Sequence, residues 1–273
     1  MGNIINGKAR AQEIKDLAKE ELSLSGQKVT LTILQAGDNP ASNVYVRNKQ
    51  RACEEVGIES KVIQVVTPEM LRYQIAFQSS FCDAMMIQLP LPEEFGDPQQ
   101  YIDLIPPEKD ADCLTTYNLG KVFLGNDTLA PCTAAGIIHL LDEENIEIKG
   151  KHAVVVGRSD IVGKPVAHML LERDATVTVC HSKTENLAEI TRMADILVVA
   201  IGKPKFITED MVKEGAVVID VGINRMEDGK LCGDVDFDAV KDKVSAITPV
   251  PGSVGPMTVS MLLANTLMLT TQN

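Results

Sequence analysis

The sequence is short of basic residues, and this shortage limits the kinds of partner it can have. Lysine and arginine together number 26, against 38 aspartates and glutamates, which gives a net charge of −12. Nucleic acids and anionic membranes are bound by basic surfaces, so neither is expected as a partner. An anionic small molecule remains compatible with this composition, because a locally positive pocket is enough to bind it.

The chain also lacks the cysteine and histidine spacings of disulfide scaffolds and metal sites. Its six cysteines are scattered without a C-x-x-C pair, and its four histidines show no ligand spacing with them. We therefore expect free thiols and no bound metal. The N-terminal region has no signal-peptide pattern and no apolar run is long enough to span a membrane, so a cytoplasmic protein is expected.

What the chain does have is an alternation of apolar strand-like runs with amphipathic helical segments. This pattern predicts α/β domains with parallel sheets, and 273 residues allow about two of them. The predicted helices are 9–24, 40–56, 69–80, 133–145, 162–173, 186–193, 208–213 and 256–271, and the predicted strands are 29–34, 61–66, 84–88, 152–156, 176–179, 196–200, 217–221 and 245–247. Residues 120–131 are predicted to be irregular, and the change of domain is placed there.

Lys49 is out of place in the helix predicted for residues 40–56, because it falls on the same face as Ala52, Cys53 and Val56. Burial disfavours an ammonium group, so a lysine in an apolar face can become a base near neutral pH. Tyr45 lies one turn earlier, close enough to contact the same bound molecule. The alternative is a lysine whose stem packs while its head reaches water.

A candidate anion site follows the strand predicted at 152–156. There the sequence GRSDIVG occupies residues 157–163 and leads into a helix. Backbone N–H groups in such a turn, together with the helix dipole, favour phosphate. Five residues separate Gly157 from Gly163, so the spacing departs from G-x-G-x-x-G, and an ordinary glycine-rich turn is the alternative.

The second strand of this half indicates which dinucleotide would bind. About 20 residues after the turn, an NAD site places an acidic residue on the ribose hydroxyls. Residues 180–184 (CHSKT) contain no acid, and Arg158 lies in the turn itself. Hydroxyl, imidazole and cationic groups suit a 2′-phosphate, so NADP is predicted rather than NAD. The alternative is that these groups are solvated loop residues.

Four segments stand in the order found in one enzyme family: SNVYVRNK at 42–49, QLPLP at 88–92, residues 154–165, and PVPGSVGPMT at 249–258. The chain resembles the bifunctional methylenetetrahydrofolate dehydrogenase/methenyltetrahydrofolate cyclohydrolases over essentially its whole length. The resemblance implies NADP-dependent oxidation of methylenetetrahydrofolate, followed by hydrolysis of the methenyl form to formyltetrahydrofolate. It also implies a role in one-carbon metabolism and purine biosynthesis, and a cytoplasmic homodimer formed through the NADP domain.

The same resemblance implies an α/β fold with two domains and a cleft between them. Residues 1–129 plus 256–273 would form the folate-binding domain, and residues 130–255 a Rossmann-like NADP domain. Lys49 would be the catalytic lysine of the hydrolysis, Gln88 would hydrogen-bond and tune it, and Asp112 would hold the pterin beside Tyr45. The expected folate contacts are Tyr45, Lys49, Gln88, Leu89, Asp112, Pro251, Gly252 and Gly255, and the expected NADP contacts are Gly157, Arg158, Ser159, Ile161, Gly163, Ser182 and Ile223.

Two of these residues have plainer interpretations, since Asp112 could be a solvated loop acid and Gln88 could cap a strand. The sequence also departs from the family pattern at three positions: Cys113 and Ser253 replace the usual glycines, and Ala134 stands where proline is common. A side chain at position 113 restricts the backbone and could shift Asp112.

Three other functions remain open from the sequence: a dehydrogenase without the hydrolysis step, an NADP dehydrogenase of the shikimate type, and a nucleotide-binding regulatory module with a decayed active site. The presence of Lys49 and Gln88 argues against the first, and the segment 249–258 argues against the second. The residues Tyr45, Lys49, Gln88 and Asp112 are all present, which argues against the third.

Overall fold

The structure is a computed structural model that describes residues 2–271, apart from the side chain of residue 41. Contacts divide the chain into two compact units. The first, here called the six-strand unit, is made of Met1–Ala11 and Thr133–Thr258. The second, the three-strand unit, is made of Gln12–Cys132 and Val259–Asn273.

The regular elements of the described residues follow in chain order. The helices are α1 (Gly7–Ser25), α2 (Pro40–Val56), α3 (Pro68–Gln78), α4 (Gln99–Ile102), α5 (Thr116–Phe123), α6 (Cys132–Glu143), α7 (Gly163–Leu171), α8 (Leu187–Thr191), α9 (Phe237–Val240) and α10 (Val254–Thr271). The strands are β1 (Asn3–Ile4), β2 (Thr30–Ala36), β3 (Glu59–Val65), β4 (Ala84–Gln88), β5 (His152–Val156), β6 (Thr176–Cys180), β7 (Ile196–Val199), β8 (Val217–Asp220), β9 (Asn224–Arg225), β10 (Leu231–Cys232) and β11 (Ala246–Ile247). Short 3₁₀ turns lie at Glu93–Phe95, Pro107–Lys109 and Glu209–Met211.

The three-strand unit is built on a parallel sheet of order β3-β2-β4. Side chains alternate across β2, so Leu31 and Ile33 enter one core cluster while Leu34 enters another. Burial on both faces explains why apolar residues occupy consecutive positions in these strands, as at Ile33-Leu34 in β2 and Met85-Met86-Ile87 in β4. Parallel pairing brings the carboxyl ends of the strands to one edge, which places Gln88, the last residue of β4, at that edge.

Helix α2 has the predicted bounds. Proline is tolerated at its first position, where no intrahelical N–H bond is required. Val46, Cys53 and Val56 on its inner face are 3% exposed or less, and they join the cluster that covers one face of β2. Burial of each such aliphatic side chain stabilises the fold by roughly 1.5–3 kcal/mol. The same packing fixes the direction in which Lys49 points.

The six-strand unit contains a parallel sheet of order β1-β11-β8-β7-β5-β6. Strands β5, β7 and β8 are its buried centre, as the apolar runs predict. The strand order reverses at β5, which has β6 on one side and β7 on the other. In open α/β sheets the crevice beyond the carboxyl ends at such a switch point is where ligands bind.

Several elements differ from the sequence-based expectation. The N-terminal strand β1 was not predicted, since two residues carry no periodicity, and its pairing with β11 places the first residues in the six-strand unit. The helix predicted at 208–213 is only the 3₁₀ turn Glu209–Met211, because the backbone is already extended at Val212. Residues 120–123 belong to α5 instead of an irregular segment.

Helix α10 departs from the expectation that no apolar run is long enough to span a membrane. Its 18 residues are long and apolar enough to cross a membrane by length and composition, although half of them are buried inside the protein. Leu262 and Leu263 are fully buried in the core of the three-strand unit, and the polar Asn265 and Thr266 are buried beside them. A lipid-facing helix would not bury these groups in a protein core, so we interpret α10 as a core helix.

Candidate active site

Lys49 projects from the inner face of α2 and is only 7% exposed. Its Nζ donates to Oε1 of Gln88 at 3.1 Å and lies 3.2 Å from Sδ of Met86. Met86 and Gln88 are alternate residues of β4, so their side chains point to the same side of the strand. Both partners are uncharged, and within residues 2–271 no carboxylate forms an ion pair with Nζ. An ammonium group at this position therefore lacks a direct counter-ion.

The amide of Gln88 is held in one orientation. Its Nε2 donates to the carbonyl oxygen of Leu89 at 2.7 Å, which leaves Oε1 facing the lysine. Leu89 precedes a cis proline and its side chain packs against a core cluster. The Leu89 backbone thus orients Gln88, and the folate contact expected of Leu89 stays a prediction.

Two neighbours on α2 show how apolar this setting is. Burial raises the pKa of Tyr45, so its phenol stays protonated and able to donate at neutral pH. Burial also raises the pKa of the Cys53 thiol to about 12, although the charge of Lys49 opposes that shift. Tyr45 is half-buried, and its hydroxyl has no hydrogen-bond partner among the described residues. This hydroxyl is available to a ligand.

The two acids of the segment Lys109-Asp110-Ala111-Asp112 have different roles. Asp110 is 1% exposed, and its Oδ2 accepts hydrogen bonds from the backbone of Thr115 at 2.8 Å and from Asn118 Nδ2 at 3.0 Å. Burial raises its pKa, although these donors act in the opposite direction. Asp110 therefore fixes the loop, and the half-buried Asp112 is left as the acid that a ligand can reach.

Cys132, the first residue of α6, lies among the predicted catalytic residues. Burial raises the pKa of its thiol well above the usual value, the Asp112 carboxylate raises it further, and the Lys49 charge lowers it. Cys132 Sγ donates to the carbonyl oxygen of Ala111 at 3.4 Å, which places this thiol beside the Asp112 loop. The three-strand unit contains Tyr45, Lys49, Gln88 and Asp112, and a direct hydrogen bond joins Lys49 to Gln88.

Asn265 of α10 is a residue that sequence reasoning missed. It is 2% exposed, and its Nδ2 donates to the carbonyl oxygens of Ala111 at 2.9 Å and Ala130 at 3.0 Å. These bonds tie the Asp112 loop to the segment that enters α6. The available signal was a single asparagine in an otherwise apolar helical stretch, which is costly to bury unless it has partners.

Cys113, directly after Asp112, has a backbone φ of 56° and is completely buried. This is the left-handed region that glycine adopts without strain, so the residue keeps a glycine-like backbone while carrying a side chain. Its Sγ donates to the carbonyl oxygen of Leu129 at 3.3 Å. Burial raises the pKa of the thiol, and the charges of Asp110 and Asp112 raise it further, so the thiol remains a protonated donor.

A pair of substitutions separates the strain at Cys113 from its packing. Cys113→Ala removes the sulfur and keeps the strained backbone, whereas Cys113→Gly removes both sulfur and strain. We expect the glycine variant to be more stable than the alanine variant by about 1 kcal/mol. Urea denaturation monitored by circular dichroism measures the difference. Equal stabilities would mean that the backbone at this position is not strained.

The glycine turn of the six-strand unit is tightly built. Gly157 has a φ of 131°, and a Cβ at this position would lie 2.3 Å from the carbonyl oxygen of Ala200. A Cβ at Gly163, the first residue of α7, would lie 2.3 Å from the carbonyl oxygen of Gly157. The two glycines thus let the turn fold against both the β7 loop and the start of α7. Ser159 and Ile161 lie between them on the exposed part of the turn.

The predicted 2′-phosphate contacts lie on adjacent strand ends. Val156 and Cys180 are register partners of β5 and β6, and Arg158 and Ser182 each follow two residues later. Both side chains are exposed at the carboxyl edge of the sheet. Ser182 lies in a loop held by a bond from the backbone of His181 to Thr184 Oγ1 at 2.8 Å.

The remaining predicted contacts belong to the six-strand unit as well. Ile223 follows β8 and is 40% exposed, and a Cβ on Gly255 would lie 3.4 Å from its Cδ1, so these two residues are neighbours. Pro251 and Gly252 form the turn before α10, with a cis bond preceding Pro251. Ser253 is buried there, and its Oγ donates to the carbonyl oxygen of Ile5 at 3.1 Å. This substituted side chain therefore binds the turn to the end of β1.

These features define a class of protein. A parallel sheet with a glycine turn at its switch point is typical of a dinucleotide-dependent dehydrogenase. A buried lysine–glutamine pair in the same unit as a reachable carboxylate is typical of a site for proton transfer on a bound substrate.

Comparison with known proteins identifies the family. The model of the tetrahydrofolate dehydrogenase/cyclohydrolase catalytic domain matches residues 5–112, and that of the NAD(P)-binding domain matches residues 131–273. The chain is 53% identical to the bifunctional protein FolD of Methanoculleus marisnigri, over 96% of this chain and 94% of that protein. The chain therefore belongs to the tetrahydrofolate dehydrogenase/cyclohydrolase family.

Solved structures agree with this assignment. The bifunctional enzyme FolD, a methylenetetrahydrofolate dehydrogenase/cyclohydrolase from Campylobacter jejuni, is 43% identical, with a TM-score of 0.96 over 100% of this chain and 99% of that one. The Trypanosoma brucei dehydrogenase-cyclohydrolase, complexed with NADP and an inhibitor, is 38% identical, with a TM-score of 0.94 over 99% of this chain and 98% of that one.

The predicted family, two-domain α/β fold, activity and cofactor are confirmed. The chain is a bifunctional enzyme of one-carbon folate metabolism. It oxidises methylenetetrahydrofolate with NADP and hydrolyses methenyltetrahydrofolate. NADP fits the structure, because the turn 157–163 joins the buried strand β5 to the N-terminus of α7 at the switch point of the sheet, where a helix dipole favours phosphate.

Proposed function

We propose that the hydrolysis is carried out in the three-strand unit by the Lys49–Gln88 pair, and that the turn 157–163 of the six-strand unit holds NADP. The observation that carries the first assignment is the buried lysine amine, whose hydrogen-bond partners are both uncharged. A neutral amine is disfavoured less by burial than an ammonium and can serve as a base.

In the hydrolysis, water attacks the cationic methenyl carbon and a C–O bond forms. An unprotonated Lys49 amine accepts the proton that the water loses, and Gln88 Oε1 accepts a hydrogen bond from the ammonium that results. One C–N bond then breaks, the hydroxyl proton is lost, and the departing nitrogen gains a proton as formyltetrahydrofolate forms. A protonated Lys49 could not accept the proton that the water loses, and the methenyl cation would repel its charge.

In the oxidation, NADP supplies the hydride acceptor, and the residues of this chain bind and orient. The Asp112 carboxylate accepts hydrogen bonds from N–H groups of the pterin, which fixes the ring and the carbon attached to it. The ring of Tyr45 packs beside the folate while its hydroxyl donates. Arg158 and Ser182 bind the 2′-phosphate from adjacent strand ends, since an arginine next to a hydroxyl suits a dianion and no acid competes with it in residues 180–184.

One assay tests both activities. Purified protein is mixed with methylenetetrahydrofolate and either NADP or NAD, and NADPH formation and methenyl absorbance are followed together. We expect NADPH to form with little accumulation of methenyltetrahydrofolate, and a Michaelis constant at least about tenfold lower for NADP than for NAD, equivalent to one good charge-assisted contact. A lower Michaelis constant for NAD than for NADP would contradict the roles of Arg158 and Ser182. A methenyl product that accumulates without hydrolysis would contradict the role of Lys49.

We also propose that the enzyme is a cytoplasmic homodimer that pairs through its NADP domain and supplies formyl groups for purine biosynthesis. The support is the family resemblance and an acidic composition, with a net charge of −12. Sedimentation equilibrium measures the oligomeric state, and a monomer at micromolar concentration would contradict the pairing.

A further inference from the structure

Two buried carboxylates in the six-strand unit take no part in the chemistry described above. Asp234 is completely buried and Asp220 is 2% exposed. Asp220 ends β8, whereas Asp234 lies between β10 and α9. Burial of a charged group is costly unless hydrogen bonds satisfy it, so both carboxylates need a structural or functional explanation.

Asp234 binds the loop that follows β7. Its Oδ2 accepts from the backbone N–H groups of Ile201 at 2.7 Å and Gly202 at 2.9 Å, and its Oδ1 accepts from Lys203 at 2.8 Å. Three successive N–H groups of this kind make an anion-binding nest. In this protein the nest is filled by the chain's own carboxylate, so it is not available to a cofactor phosphate. The turn 157–163 keeps that role.

Asp234 also reaches the segment that follows β8. Its Oδ1 accepts from Asn224 Nδ2 at 2.9 Å, and Asn224 is the neighbour of the predicted cofactor contact Ile223. Asp220 completes the link, because its Oδ1 accepts from Gly222 at 3.0 Å and from the backbone N–H of Asp234 at 2.9 Å. The loops after β7 and β8 are thus joined through the same two side chains.

The glycines around the pair show how closely the carboxylates approach the backbone. A Cβ at Gly222 would lie 2.2 Å from Asp234, and a Cβ at Gly233 would lie 1.8 Å from Oδ2 of Asp220. The arrangement is reciprocal, with each aspartate packed against the glycine beside the other. The arrangement also extends to the turn 157–163, since Gly157 packs against the carbonyl oxygen of Ala200. Ala200 is the first residue of the loop that follows β7.

We infer that Asp234, supported by Asp220, is a positioning residue for hydride transfer: it holds the loops after β7 and β8 as the walls of the nicotinamide end of the NADP site. The inference rests on the proposed binding of NADP at the turn 157–163. Both loops lie at the carboxyl edge of the sheet, and the β7 loop flanks the switch point beside β5. Hydride transfer is sensitive to small displacements of a reacting ring, so loosening these walls affects the dehydrogenase more than the hydrolysis, which needs no nucleotide.

The test is Asp234→Asn. An amide keeps one accepting oxygen and turns its NH₂ toward N–H donors, so about half of the four hydrogen bonds are lost. We expect the Michaelis constant for NADP to rise at least tenfold and the dehydrogenase kcat to fall, with the cyclohydrolase rate changed less than twofold. Backbone amides of residues 201–203 should exchange with deuterium faster in the cofactor-free variant. Burial raises the pKa of Asp220 to about 6, so assays at pH 7.5 keep that carboxylate ionised.

Asp195→Asn is the matched control. Asp195 precedes β7 at the opposite edge of the same sheet, and it accepts from the backbone of His152 at 2.9 Å and from Lys213 Nζ at 2.6 Å. Like Asp234→Asn, the Asp195→Asn variant loses a carboxylate that accepts from a backbone N–H group. Both of its activities should nevertheless stay within twofold of the native enzyme.

Asn224→Ala is a milder second variant that removes one bond to Asp234. It should raise the Michaelis constant for NADP about threefold while the fold stays intact.

The outcomes distinguish positioning from stability. A folded Asp234→Asn variant with native NADP kinetics and native exchange at 201–203 would overturn the inference. Equal losses of both activities would overturn it too, since they would indicate a general destabilisation. If the native enzyme itself failed to use NADP, the proposed function would fall, whereas slower exchange at 201–203 in native protein than in Asp234→Asn would still establish the loop-holding role.

Discussion

A Lys49→Met variant is expected to lose cyclohydrolase activity by about 10³-fold while it keeps its fold and most of its dehydrogenase activity. Methionine fills a similar volume in the inner face of α2 but cannot take up the proton of the attacking water. General acid–base catalysis contributes typically 10²–10⁴-fold, which sets the size of the loss. Decay of methenyl absorbance measures the hydrolysis, and NADPH formation from methylenetetrahydrofolate measures the oxidation.

The variant should also be less stable, because Oε1 of Gln88 loses its donor inside the core. An unsatisfied buried acceptor costs about 1–3 kcal/mol. Lys61→Met is a matched control, since Lys61 Nζ also donates to a glutamine, Gln78, at 3.1 Å, but from an exposed position on β3. This control should hydrolyse at the native rate. If Lys49→Met also did so, the amine would not be the proton acceptor and the proposed mechanism would be wrong.

The parts of the fold that could be predicted from sequence are those with local causes. The apolar face of α2 repeats with helical spacing, and β5, β7 and β8 are short apolar runs between turn residues. Such patterns depend on neighbouring residues alone. Lys49 could be singled out for the same reason, because it interrupts a local pattern and needs no knowledge of what packs against it.

What could not be predicted depends on contacts between distant segments. β1 becomes a strand only because β11, more than 240 residues later, offers it a partner. Asn265 is an unexplained polar residue in an apolar helix until its hydrogen bonds to residues 111 and 130 are known. Asp110 is the structural acid of the pair Asp110 and Asp112 because α5 buries it. The sequence gives no indication of that burial.

The glycine turn was predicted as an anion site, but its dependence on glycine at one position comes from the structure. Gly157 has a φ of 131°, a region that is essentially restricted to glycine, and a Cβ there would be 2.3 Å from the carbonyl oxygen of Ala200. We expect Gly157→Ala to lower the free energy of unfolding by about 3 kcal/mol, as backbone strain and overpacking add. NADP affinity should fall at least about 100-fold, because the displaced turn loses two or more charge-assisted bonds to phosphate.

Gly150→Ala separates strain from contact, since Gly150 also has a positive φ, 72°, but nothing lies within 4 Å of the added methyl group. It should cost about 1 kcal/mol and leave NADP binding unchanged. Thermal unfolding and titration of NADPH fluorescence provide the two measurements. Equal affinities for NADP in Gly157→Ala and native protein would mean that the cofactor phosphates bind elsewhere. Because hydrolysis needs no nucleotide, a folded Gly157→Ala enzyme should still open the methenyl ring. A single added methyl group would then impair the NADP-dependent activity and leave the hydrolysis intact.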